Sequence, residues 1–73
     1  MKVTIYLKSR PGVVQQYDLD FTEFKRLSSD FQQFLKEGNP QKGVYKCYTH
    51  KGDRSIKNPF SVALDFKDVS VIG

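Results

Sequence analysis

Between Lys2 and Lys8 the chain alternates, with Val3, Ile5 and Leu7 on one side and Lys2, Thr4, Tyr6 and Lys8 on the other. A period of two is the mark of a strand with one buried face, so residues 2–8 are predicted to be a β-strand. Arg10-Pro11-Gly12 then supplies a turn, since Pro presets φ and Gly accepts the positive φ that a type II turn requires after it. The segment VVQQYDL should return antiparallel, which makes residues 2–19 a hairpin.

The period changes in DFTEFKRLSSDFQQFLKEG. Phe21, Phe24, Leu27 or Ser28, Phe31, Phe34 and Leu35 recur every three or four residues, as one buried stripe of a helix demands. Asp20 and Glu23 stand in capping-box spacing at its start, and Gly38 is suited to the left-handed position that ends it. Ser28-Ser29-Asp30 are weak helix formers, and Ser29 with Gln32 repeats the capping-box spacing, so two short helices are an alternative. The apolar stripe continues across the serines without slipping, which favours one helix of about 17 residues.

After the polar loop GNPQKG, the segment GVYKCYTH alternates again. Tyr45, Cys47 and Thr49 point one way, and Val44, Lys46, Tyr48 and His50 the other. KGDR supplies turn residues, and FSVALDF places Phe60, Val62, Leu64 and Phe66 on one face, with Pro59 at its start. VSVI follows Lys67-Asp68 as a short last strand, or as a continuation past a bulge that shifts the apolar face by one. The order β-β-α-β-β predicts a single α+β domain over residues 1–73, a mainly antiparallel sheet with one amphipathic helix on one face.

Composition bounds what such a domain does. Its 73 residues, 38% hydrophobic and 27% charged, are those of an ordinary folded domain with a small core. Six Phe, four Tyr and several Val exceed what one helix covers, so a homodimer is expected. The single cysteine, Cys47, excludes an intramolecular disulfide and fits a reducing compartment, so the protein is expected in the cytoplasm. The amino-terminal apolar run is too short and too charged for a signal peptide, and no stretch approaches a membrane span.

Chemistry has few candidates. Cys47 and His50 suggest a thiol–imidazole pair, but positions three apart on a strand face opposite sides of the sheet. One Cys and one His fall short of a zinc ligand set, so no metal and no cofactor are expected. Asp18 with Asp20, and Asp65 with Asp68, read as caps and turn residues rather than as acid–base pairs. Phosphate loops and nucleophile elbows are absent from the sequence.

Charge is concentrated. The formal net charge is +4, and residues 41–58 carry all of it: Lys42, Lys46, Lys51, Arg54 and Lys57 against Asp53 alone. With Tyr45 and Tyr48 interleaved, this hairpin has the cations and rings that grip single-stranded nucleic acid. Lysines on an edge strand also serve simply to block edge-to-edge aggregation. The candidate contact residues are Lys42, Lys46, Tyr48, His50, Lys51, Arg54 and Lys57.

The chain is similar in style to short, Phe-rich proteins of bacteria and their phages, a resemblance of size and composition that assigns no residue a role. The sequence thus points to a non-enzymatic interaction module with a protein partner or a second copy of itself. The alternative is a nucleic-acid-binding protein that uses residues 41–58.

Overall fold

The elements follow in the order β1 (Lys2–Leu7), β2 (Val14–Asp18), α1 (Phe21–Glu37), β3 (Lys42–Tyr48), β4 (Pro59–Asp65) and β5 (Val69–Ile72). They are those of a computed structural model that describes residues 1–48 and 59–73. The strands form one antiparallel sheet in the order β4-β3-β2-β1-β5, with α1 packed on one face. The α+β class and the mainly antiparallel sheet expected from the pattern are therefore present.

The first hairpin forms as its turn chemistry dictates. Gly12 has φ 87°, and the Val13 N–H donates to the Arg10 carbonyl at 3.1 Å, which closes the turn around Pro11-Gly12. VSVI is a separate strand rather than an extension of β4, and it pairs with β1. A register shift between Tyr6 and Leu7 places Val69 opposite Leu7 and Val71 opposite Tyr6, which leaves Ser70 as the extra residue. Val69 and Ile72 consequently join the core side, while Val71 turns outward.

Helix α1 is continuous across Ser28-Ser29, and Gly38 ends it at φ 80° with its N–H donating to the Phe34 carbonyl at 2.8 Å. The capping box does not form. Asp20 sits at the N-cap in extended conformation without a side-chain cap bond, because its Oδ2 accepts from the Tyr48 hydroxyl at 3.2 Å instead. Glu23 is likewise turned toward β3, where it meets a stronger set of donors.

The buried stripe of the helix is narrower than expected. Leu27 and Phe31 are buried and Phe24 and Phe34 partly so, whereas Phe21 and Leu35 are 63% and 66% exposed. At about 100° per residue, Leu35 lies roughly 70° and Phe21 roughly 110° from the centre of the Leu27–Phe31–Phe34 line. The core is closed by Val3, Ile5, Tyr45, Cys47, Leu64 and Val69 of the sheet and by Leu19 and Phe66 of its connections. Phe66 is its hub, with ring centroids 5.7 Å from Phe31, 5.8 Å from Phe34 and 6.4 Å from Tyr45. Complete burial of such a side chain contributes about 1.5–3 kcal/mol.

The sheet is curled. Four inter-strand steps separate β4 from β5, roughly 19 Å in a flat sheet. Yet only Phe66, Lys67 and Asp68 connect them, and four residue steps reach at most about 14 Å. The strip therefore bends around the core. The connecting turn is fixed at both sides: the Phe66 N–H donates to the Gln41 carbonyl at 2.9 Å, and the Asp68 carbonyl accepts from the Lys8 N–H at 2.6 Å.

Candidate interaction surface

Register divides the side chains of the sheet between two faces. Toward the helix point Val3, Ile5 and Leu7, then Gln15 and Tyr17, then Tyr45 and Cys47, then Phe60, Val62 and Leu64. Away from it point Lys2, Thr4 and Tyr6, then Val14, Gln16 and Asp18, then Lys42, Val44, Lys46 and Tyr48. The second set forms the open face.

On the helix side, α1 is locked to β3 by a polar network. Among the described residues β3 pairs with β2 only at Asp18–Tyr48, so the outward backbone of Val44 and Lys46 needs partners from elsewhere. Glu23 and Arg26, one helical turn apart, supply them. Arg26 Nη2 donates to the Val44 carbonyl at 2.7 Å, and the Lys46 N–H donates to Glu23 Oε2 at 2.8 Å. The two side chains also pair with each other at 2.9 Å through both carboxylate oxygens. Together they take the place a neighbouring strand would occupy.

Electrostatics follows from that geometry. The Arg26 guanidinium and the Lys46 N–H hold the Glu23 carboxyl below its ordinary value, and Glu23 in turn raises Arg26. Beneath them, the Tyr45 hydroxyl donates to Asp30 Oδ2 at 2.7 Å, with the Arg26 guanidinium 4.5 Å from the ring centroid. Burial first, and then the bond to Asp30, push the Tyr45 phenol well above its usual range.

Cys47 is only 1% exposed on the core side, opposite Phe60. Burial, followed by the negative charges of Glu23 and Asp18, raises its thiol. A nucleophilic cysteine needs the opposite, a partly exposed sulfur in a positive field that stabilises the thiolate. Among the described residues, no three His, Cys, Asp or Glu converge as a metal set would. No helix among them is long and apolar enough to cross a membrane.

Of the contact residues expected from the sequence, three lie in the described strands. Lys42 is exposed at the start of β3 opposite Asp65, and Lys46 is exposed opposite Ser61. Tyr48 is half-buried, its hydroxyl bound to Asp20 and its ring 5.8 Å from the Lys46 ammonium. The three thus share the open face of one strand. His50, Lys51, Arg54 and Lys57 lie outside the described residues, as does the geometry of Cys47 with His50.

Elsewhere on the open face, Tyr6 stands directly opposite Val14 on β2 and Val71 on β5. All three are about half exposed, Tyr6 at 44%, so an aromatic ring flanked by two valines lies across three strands. A second apolar position, Val44 opposite Ala63, lies beyond Lys46. Alternation in β1 assigns Tyr6 to the outer face, but its two neighbours follow from register and from the bulge at Ser70, which the sequence pattern does not specify.

No family model, curated protein or solved structure matches the chain.

Proposed function

We propose that the protein is a small non-enzymatic interaction module that docks a protein partner on the open face of its sheet. The observation that carries this reading is the Val14–Tyr6–Val71 row, an exposed aromatic residue set between two apolar neighbours on rigid, hydrogen-bonded strands. Tyrosines with an apolar surround are the residues that concentrate binding energy at protein interfaces. Lys2, Lys42 and Lys46 on the same face add a cationic margin suited to an acidic partner.

The side chains with chemical potential support the same reading. Cys47 is buried, Tyr45 is bound to Asp30, and the Glu23–Arg26 pair holds the backbone of β3. They serve the scaffold. A lone buried thiol suits a cytoplasmic setting.

Nucleic-acid binding is the second reading, favoured by Lys42, Lys46 and Tyr48 on one strand face. Against it, the Tyr48 hydroxyl is held by Asp20 and the Lys46 ammonium lies over its ring, which obstructs stacking on a base. The test is affinity capture on the immobilised protein from its host, with and without nuclease. The proposal predicts a protein that is retained after nuclease treatment. Retention that disappears with nuclease, and an affinity that falls steeply with salt, would replace it with the second reading. A turnover that vanishes on Cys47→Ala would refute both.

A further inference from the structure

We infer that β4 is a self-pairing edge, and that two copies join through it about a two-fold axis at Val62 to give one continuous antiparallel sheet. The inference rests on reading the chain as an interaction module, but it concerns a different surface from the Tyr6 row.

Alternation decides which backbone groups of β4 are free to pair. Phe60, Val62 and Leu64 face β3, as the bond from the Phe66 N–H to the Gln41 carbonyl requires by alternation. Pro59, Ser61, Ala63 and Asp65 therefore direct their backbone outward, where no other strand among the described residues lies. Such an edge is a template for another strand unless something blocks it. In PFSVALD there is no Lys or Arg, no bulge and no central proline, and the only charge is Asp65 at the end. The other edge, β5, is shorter and carries the bulge at Ser70.

Self-complementarity selects a second copy as the occupant. Antiparallel pairing about Val62 sets Ser61 against the partner copy's Ala63, and Pro59 against its Asp65. Ser61 and Ala63 then exchange N–H and carbonyl bonds in both directions. At the ends, the Asp65 N–H meets the Pro59 carbonyl. Pro59 has no N–H to return, and the Asp65 carbonyl has no need of one, since it already accepts from the Asp68 N–H at 3.0 Å. The missing donor and the occupied acceptor fall opposite each other, so the pairing leaves no ladder group stranded.

Side chains agree with this register. On the open side the facing residues are Ser61 and Ala63, both small. On the helix side Val62 meets its own copy, and Phe60, half-buried in one chain, comes opposite Leu64 of the other. A cleft of about 380 Å³ opens beside this part of β4, with Leu7, Val62 and Leu64 as its apolar wall and Ser9, Arg10, Asp65 and Asp68 among its polar lining. The incoming Phe60 ring covers the apolar wall. The two-fold axis runs through the sheet, so both helices lie on one side and both Tyr6 rows on the other.

The experiment is disulfide trapping with sedimentation. Facing residues of a pair that does not exchange backbone bonds have Cβ atoms about 4.5 Å apart, close to the span of a disulfide. Val62→Cys is expected to cross-link to itself in a glutathione buffer, while Ser61→Cys, which faces Ala63, is not. Native Cys47 is buried and stays unmodified. Ala63→Pro removes an N–H that β3 does not use, so it should keep the monomer fold by circular dichroism and weaken dimerisation about tenfold or more. Equal cross-linking at positions 61 and 62, preferential cross-linking of Ala63→Cys, or an Ala63→Pro protein as dimeric as wild type would overturn the inference. So would a wild-type monomer at several hundred micromolar, which would leave capture of a protein partner through Tyr6 unaffected.

Discussion

Gly43→Ala is the substitution whose cost the structure specifies most closely. Gly43 and Tyr45 share the helix-facing side of β3, and the tyrosine ring lies back over the glycine. A methyl group on Gly43 would come within 2.6 Å of Cε2 and Cζ of that ring, and closer still to its hydroxyl oxygen. Most side chains in such a position would swing aside. This one is held: Tyr45 is 1% exposed, bonded to Asp30 at 2.7 Å, covered by Arg26 at 4.5 Å and packed near Phe66 at 6.4 Å.

Overpacking a filled core costs about 1–3 kcal/mol. The upper half of that range applies, because moving the ring also stretches a hydrogen bond to a carboxylate, itself worth about 1.5–3 kcal/mol. A loss of about 2–3 kcal/mol is a large share of the roughly 4–11 kcal/mol expected for a domain of this length. In urea, at a slope near 1 kcal/mol/M, the unfolding midpoint should fall by about 2–3 M. In a Tyr45→Leu background the ring is gone, and the same Gly43→Ala change should be neutral or stabilise by up to about 1 kcal/mol, as expected when a strand glycine gains a side chain. If Gly43→Ala stabilises the wild type, or costs the same in both backgrounds, the packing of Tyr45 over Gly43 is not what requires the glycine.

Three further outcomes follow from the network on the helix side. Because Glu23 is held below its ordinary value of 4.5, its contribution is present above that pH and is lost as pH falls through the lowered folded value. Glu23→Gln should therefore lower the melting temperature at pH 7, by an amount that shrinks as the pH falls below 4.5; a difference independent of pH would contradict the pairing. Tyr45 runs the other way, its raised phenol giving stability that is complete below pH 10.0 and is lost as pH rises beyond it. Tyr45→Phe should flatten that alkaline decline in thermal melts. Cys47, buried and with its thiol raised, should react with a thiol reagent only as fast as the protein opens, so native labelling at the rate of a free thiol would show the burial to be wrong.

Periodicity made the strands and the helix legible because burial on one face leaves a direct trace in composition, as in Val3-Ile5-Leu7 and in Leu27-Phe31-Phe34. Local rules were reliable where the backbone alone decides: Gly12 and Gly38 both occupy the positive φ that their positions suggested. They failed where tertiary partners compete. Asp20 and Glu23 had capping-box spacing, yet the Tyr48 hydroxyl, the Lys46 N–H and Arg26 claimed their carboxylates. Phe21 and Leu35 looked like core residues because their spacing fits a wide stripe, but the curled sheet covers a narrow one.

The candidate surface was half legible for a related reason. Alternation placed Lys46 and Tyr48 on an outer face and Cys47 on an inner one, as found. The neighbours of Tyr6 depend on which strands pair and in what register. The sequence separates Tyr6 from Val71 by most of the chain, and the Ser70 bulge decides that Val71 points outward.

The proposed division of labour, a binding outer face around Tyr6 and a helix side that holds the fold, is decided by partner retention on wild type, Tyr6→Lys, Val71→Lys and a helix-surface control, Gln32→Lys, each first shown to melt like wild type. At least about a tenfold loss of affinity is expected for the two open-face variants, as for removal of an interface anchor, and no loss for the control. Undiminished binding by Tyr6→Lys and Val71→Lys, or an equal loss in Gln32→Lys, would contradict it.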